Sequence, residues 1–255
     1  MDWIPEFTRW DMLLVGAVSA QATVMAYLHS ARLKAFVFML PIPFTCASLA
    51  VGVPVSSEHV AGLILILGFL LAIRGLYVGL RVPIVVSILL GGAGYCAAAA
   101  AIRPFLPKGA AGFWWTALVA AAVAAVAWRR MPFREEPGHR TTLPVWVKVP
   151  ALAAVILALL TLKYRLAGLM VVYPFMGTIG AYEARHSLWT MSRQVPVLIA
   201  FFLPMLAAIL LTQERLGMPA SLAIGWAVYL AMLVPYWWLH FDRDARPNAL
   251  PPRSA

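Results

Sequence analysis

Apolar residues in this chain come in blocks of roughly twenty, each separated from the next by a short polar, glycine- or proline-bearing stretch. The blocks predict helices over 12–28, 35–52, 60–77, 82–102, 113–128, 145–161, 167–182, 195–211 and 219–238. At 1.5 Å per residue, such segments are long enough to cross a hydrocarbon core ~30 Å thick. The expected fold is all-α: a polytopic integral membrane protein of about nine transmembrane helices. Composition points the same way. Hydrophobic residues make up 63% of the chain and charged residues 12%, against about 45–50% and about 25% in a soluble domain. Trp3, Trp10, Trp114, Trp115, Trp237 and Trp238 flank the blocks, where amphipathic rings settle among headgroups. The opening WIPEFTRWD lacks a basic n-region and a cleavage site, so no removable leader is expected.

The net charge of +10 is then a topology signal rather than a nucleic-acid footprint. With nine spans, six basic residues fall on the side of the N-terminus (Arg9, Arg103, Lys108, Lys163, Arg165, Arg215). The other fourteen fall opposite, most densely in WRRMPFREEPGHRTT, 128–142. The positive-inside rule places the N-terminus outside and the C-terminus in the cytoplasm of a bacterial-type inner membrane.

Two halves face each other across that loop. A shift of 133 residues carries Arg32 onto Arg165, Leu33 onto Leu166, Pro41 onto Pro174 and Thr45 onto Thr178. Further on, VGLRVP (78–83) meets QERLGMP (213–219). The expected organisation is a first four-helix repeat over 1–111 and an inverting helix with the loop over 112–142. A second four-helix repeat follows over 143–240, then a disordered tail over 241–255. One extra crossing between the halves turns the second upside down, the 4+1+4 inverted-repeat plan of many transporters.

Pro41 lies nine residues past Arg32 and Pro174 nine past Arg165, ~14 Å along a helix and near the midplane. Each removes a backbone donor and frees a carbonyl near Val37 or Met170, which lipid cannot satisfy. Paired breaks of this kind are where discontinuous transporter helices place a site; single prolines also shape packing. Candidate solute-binding residues are Pro41, Thr45, Pro174, Thr178, Gly177, Tyr173 and Gln21. Gln21 could donate to a freed carbonyl, and the threonines could instead back-bond to their own helices. The glycines, Gly180 included, also read as close-packing positions. Arg32, Arg165 and Arg74 are the electrostatic candidates, alternatively snorkelling to headgroups.

Catalysis is not expected. HExxH, GxSxG, CxxC and phosphate-loop patterns are absent, and no carboxylate falls clearly within a span. Glu183 reads as a surface ion pair with Arg185, or as a proton carrier. His29 and His59 lack ligand spacing, and Cys46 and Cys96 sit within spans. No metal or cofactor is expected.

Lys148, the KYR turn at 163–165, AGL at 167–169, the aromatic–proline pair Tyr173–Pro174 and the charged turn before an apolar third span resemble the GlpM-like small membrane proteins. The likeness covers about ninety residues of the second half. It implies a four-span unit, here duplicated and fused, and a link to exopolysaccharide production. Phe175 and Ala181 depart from the family's polar residue and histidine.

The functional expectation is a transporter or permeation protein for a small polar or anionic solute. The alternative is a non-transporting integral subunit of an envelope or polysaccharide-related complex. A third, weaker reading is an enzyme on a lipid-linked substrate using Glu183 and His186. Expected partners are the bilayer, a small solute, and another membrane protein or a second copy of the chain.

Overall fold

The computed structural model describes residues 9–134, 136, 139, 144–160, 171 and 173–244. The described residues are all-helical outside turns and loops. In order they form α1 (Arg9–Tyr27), α2 (Ala31–Met39), α3 (Ile42–Val51), α4 (Ser57–Arg74), α5 (Ile84–Ile102), α6 (Gly109–Arg130), α7 (Val145–Leu160), α8 (Phe175–Glu183) and α9 (Leu188–Asp244). Among the described residues, five segments are long and apolar enough to cross a membrane: Ala31–Val51, Ser57–Gly79, Ile84–Phe105, Gly109–Arg130 and Leu188–Leu239. α1 and α7 coincide with expected blocks but fall outside those five. The block at 167–182 lies partly outside the described residues.

The outside of the protein is apolar. Val85, Val86, Leu89 and Leu90 on α5 are exposed, as are Trp114, Trp115, Leu118 and Val119 on α6. That surface suits a hydrocarbon environment and not water. Inside, α4 is the central helix, packing on α5, α6 and α9, while α1 packs on α3, α7 and α8.

Two expected blocks are joined in α9, but not as one rod. Gly217 adopts φ 73° and ψ 167° inside it, a conformation open to glycine and strained for other residues. The chain folds back there. Phe201 and Phe202 lie 6.1 and 5.5 Å from the Tyr229 ring, and Phe201 lies 5.2 Å from Tyr236. α9 is therefore an antiparallel hairpin of two limbs. Its turn end is tied to the loop before α4 by Gln213, which accepts from Val55 N–H at 2.8 Å and donates to Val55 C=O at 3.1 Å.

The limbs close because Gly225 lacks a side chain: a Cβ there would stand 2.8 Å from Ile209 Cγ1 and 3.2 Å from Met205 Cγ. Gly225→Val should therefore wedge the limbs apart and cost about 1–3 kcal/mol, as overpacking does. Denaturation of the purified protein in detergent measures this, with exposed Gly94→Val as the control.

Candidate functional site

Span 35–52 is broken as its prolines require. α2 stops at Met39, Leu40 is extended (φ −61°, ψ 128°), and α3 restarts after Pro41. The second break is built alike. Pro174 precedes α8 as Pro41 precedes α3, with φ −75° against −78°. Four residues on, Thr45 N–H and Oγ1 both donate to Pro41 C=O, at 3.0 and 2.8 Å. Thr178 N–H and Oγ1 do the same to Pro174 C=O, at 2.7 and 3.0 Å. The threonines thus bond back to their own helices, the back-bonding alternative. Thr45 also accepts from Trp226 Nε1 at 2.7 Å, which engages its hydroxyl twice.

The carbonyls freed at the first break are bonded from other helices. Gln21 on α1 donates Nε2 to Val37 C=O at 2.6 Å and to Leu40 C=O at 3.3 Å. Tyr229 on the far limb of α9 donates to Met39 C=O at 2.6 Å. Gln21 is buried, and its Oε1 has no hydrogen-bond partner among the described residues. Met170, the corresponding position of the second break, lies outside the described residues, as does Arg165.

The two breaks meet. Pro41 and Pro174 line one cavity of about 50 Å³, walled by Phe38, Phe44, Ile66, Phe175 and Phe202 among others. This is room for a water or two, and the walls are apolar. Tyr173 joins them, its ring 5.2 Å from Tyr95, with its hydroxyl against Gly92, where a Cβ would come within 3.0 Å. Gly177 is a packing position: a Cβ would stand 2.9 Å from Pro174 Cβ and 3.0 Å from Phe69 Cε1. The described centre is a narrow, apolar constriction.

Charge lies deeper than the sequence suggested. Glu183 does not pair with Arg185 at the surface. It is buried at 1% exposure, while Arg185 donates to Tyr182 C=O and contacts His139 Nε2. Lys34, also 1% exposed, donates Nζ to the backbone C=O of Glu183 at 2.9 Å. Asp11 in the first turn of α1 is fully buried as well. The expectation of an interior without carboxylates is therefore corrected. Lys34 had a readable signal. It stands two residues from Arg32, and side chains two apart on a helix cannot share a face. One of the two cations had to turn inward.

At the end of the molecule where α2 begins, the segment after α6 folds over the start of α9. Glu136 accepts from Trp189 N–H at 3.2 Å and Thr190 N–H at 2.6 Å, capping that helix. Trp189 Nε1 donates to Pro132 C=O and Arg193 Nε to Met131 C=O. Arg74 does not enter the centre; its guanidinium lies 4.6 Å from the Trp189 ring. Arg32 lies 5.1 Å from the Phe133 ring. His139 rests 4.7 Å from His186, and its basicity is lowered by partial burial and then by Arg185, His186 and Lys34, against an opposing pull from Glu183. His59 serves the N-terminus of α4, where Nδ1 accepts from Ser56 N–H at 3.2 Å. Among the described residues no cluster of metal-ligating side chains occurs, and Cys46 and Cys96 are free thiols.

No protein family, no curated protein and no solved structure matches this chain.

The carbonyl bonds should be measurable. Gln21→Leu removes the side-chain donor to Leu40 C=O and to Val37 C=O, which keeps Leu40 N–H at 3.2 Å, and Tyr229→Phe removes the donor to Met39 C=O. Each carbonyl left without a donor should cost about 1–3 kcal/mol. Unfolding of each variant in detergent reports the loss.

Proposed function

We propose that this chain is a membrane transporter or permeation protein for a small polar or anionic solute, with its gate where the two broken helices meet. One observation carries this reading. Two proline breaks from distant parts of the chain, alike down to the threonine hydroxyl that bonds back to each proline carbonyl, line the same central cavity. Broken helices at membrane depth are tolerated where they serve a pathway.

The wider plan follows on this reading. The limbs of α9 supply two spans, α2 with α3 one, α1, α4, α5, α6 and α7 one each, and the block at 167–182 the ninth, arranged 4+1+4 as inverted repeats. The resemblance to GlpM-like proteins fits a duplicated four-span unit. The arginine-rich end faces the cytoplasm of an inner membrane, with the N-terminus outside. The narrow cavity is an occluded state, and Lys34 with Glu183, about 10 Å along α2 from Pro41, stands on the cytoplasmic approach. Buried ionisable groups in a membrane protein are costly, and a solute path is the usual reason for them. Alternating access would rock one repeat against the other.

A second reading, a non-transporting subunit of an envelope complex, draws on a different observation. An apolar groove of about 530 Å³ runs between α6 and the first limb of α9, with Ala121, Ala124 and Ala125 facing Pro196 and Pro204. Together with the apolar centre, such a groove suits a packed partner helix.

Thiol accessibility separates the two. In a protein with Cys46 and Cys96 replaced by serine, single cysteines at Met39 and Met176 line the cavity, and Phe133→Cys marks the cytoplasmic loop. Transport predicts that an impermeant thiol reagent reaches the cavity positions from both sides of the membrane. If Phe133→Cys labels from inside while both cavity positions stay unreactive from either side, the transport reading fails and the subunit reading stands.

A further inference from the structure

The end of the protein that gathers the arginines contains more than scattered surface charge. Two adjoining cavities, of about 270 and 350 Å³, share Arg32, Phe133, Arg134 and Thr190 as walls. The first adds Trp128, Arg193, Gln194, Tyr236 and Trp237; the second adds His29, Ser30 and Glu136. One cavity is therefore mainly aromatic and the other mainly polar; two guanidiniums, of Arg32 and Arg134, lie along their junction, and a third, of Arg193, lines the aromatic one.

Those guanidiniums are held in place by rings. Arg193 stands 4.2 Å from the Trp128 ring and 5.7 Å from Phe133; Arg134 stands 4.2 Å from Trp189; Arg32 stands 5.1 Å from Phe133. Stacking of this kind fixes the plane of an arginine's guanidinium. Arg193 gives Nε to Met131 C=O, one of its five N–H groups. The acid in the wall, Glu136, has both carboxylate oxygens engaged by the N-terminus of α9. The aromatic faces are already covered by cations, so the pocket is not a cage for a quaternary ammonium. The opposite charge fits: an anion with several acceptor oxygens, which planar guanidiniums grip in pairs.

We propose that this pocket binds a phosphate-bearing anion, its oxygens on Arg134 and Arg193, with Arg32 adding to the positive field of the wall. The aromatic cavity, where Phe36 packs on Trp237 at 4.1 Å, accepts an apolar chain attached to it. A membrane phospholipid with an anionic headgroup supplies both parts; a soluble phosphate supplies only the first. The site stands independently of transport, because none of its walls belongs to the central constriction.

The test uses the full chain purified in detergent and in nanodiscs, with bound lipid counted by native mass spectrometry and thermal unfolding followed alongside. The probes are phosphatidylglycerol, phosphatidylcholine and inorganic phosphate. Retention of one phosphatidylglycerol per chain in preference to phosphatidylcholine is expected. Arg134→Gln should weaken it about tenfold, the loss of one charge-assisted contact. Arg193→Lys, which keeps the charge but loses the fork, should weaken it too. Arg129→Gln, an exposed arginine outside both cavities, should change nothing. Should inorganic phosphate alone stabilise the protein and displace the lipid, with the same dependence on Arg134, the occupant is a soluble phosphate and the site is upheld. Equal retention of phosphatidylcholine, or an Arg129→Gln effect as large as that of Arg134→Gln, would mean interfacial charge without a site and overturn the proposal. So would failure of both anionic probes to bind wild-type protein with its unfolding transition intact.

Discussion

A backbone carbonyl that loses its helical partner in an apolar interior must be bonded by something else in the protein, because neither lipid nor a dry core will do it. Pro41 creates that demand at Val37, Met39 and Leu40, and the surrounding architecture answers it. Gln21 fixes α1 against the break, and Tyr229 fixes the far limb of α9 against it. For Tyr229 to arrive there, α9 must fold back at Gly217, and for the limbs to close, Gly225 must carry no side chain. One interrupted helix thus sets the position of three others.

The same economy governs polar atoms around the second break. Thr178 bonds Pro174 C=O as Thr45 bonds Pro41 C=O, so each threonine hydroxyl is held within its own helix. The centre is then left apolar and small, with aromatic rings packed edge to face around it. At the end where α2 starts, Lys34 and Glu183 are buried, and Arg32, Arg134 and Arg193 are stacked on rings.

Much of this was legible from residue order. The apolar blocks give the helices, because a segment with no polar face can be stable only where its whole surface meets hydrocarbon or other helices. The prolines give the position of the break at 40–41, since the ring removes a donor wherever it lies. Gln21 was marked by its polarity in an apolar block, and the break by its missing hydrogen bond, so their meeting could be anticipated from demand and supply. Trp226 and Tyr229 could not, because interfacial and buried aromatics look alike in a sequence, and only the hairpin in α9 turns these two inward. Glu183 likewise sits in a stretch, YEARHS, whose composition reads as surface; its burial follows from where α8 ends against α2. Thr45 and Thr178 were marked as site residues, but a hydroxyl four residues past a proline has a free carbonyl of its own helix within reach.

By itself, then, the sequence determined a helical protein with a hydrocarbon-compatible exterior, two proline breaks and a strong asymmetry of positive charge. These are properties of segments, decided by hydropathy and backbone chemistry over a few residues. Only the tertiary structure decided that Pro41 and Pro174 share one cavity, that Lys34 faces inward while Arg32 faces the ring of Phe133, and that arginines from three separate stretches line one pocket. Such meetings depend on the relative rotation and crossing of helices. That is set by close contacts at single small residues such as Gly177 and Gly225, and nothing in a local pattern of apolar residues encodes which helix will be on the other side.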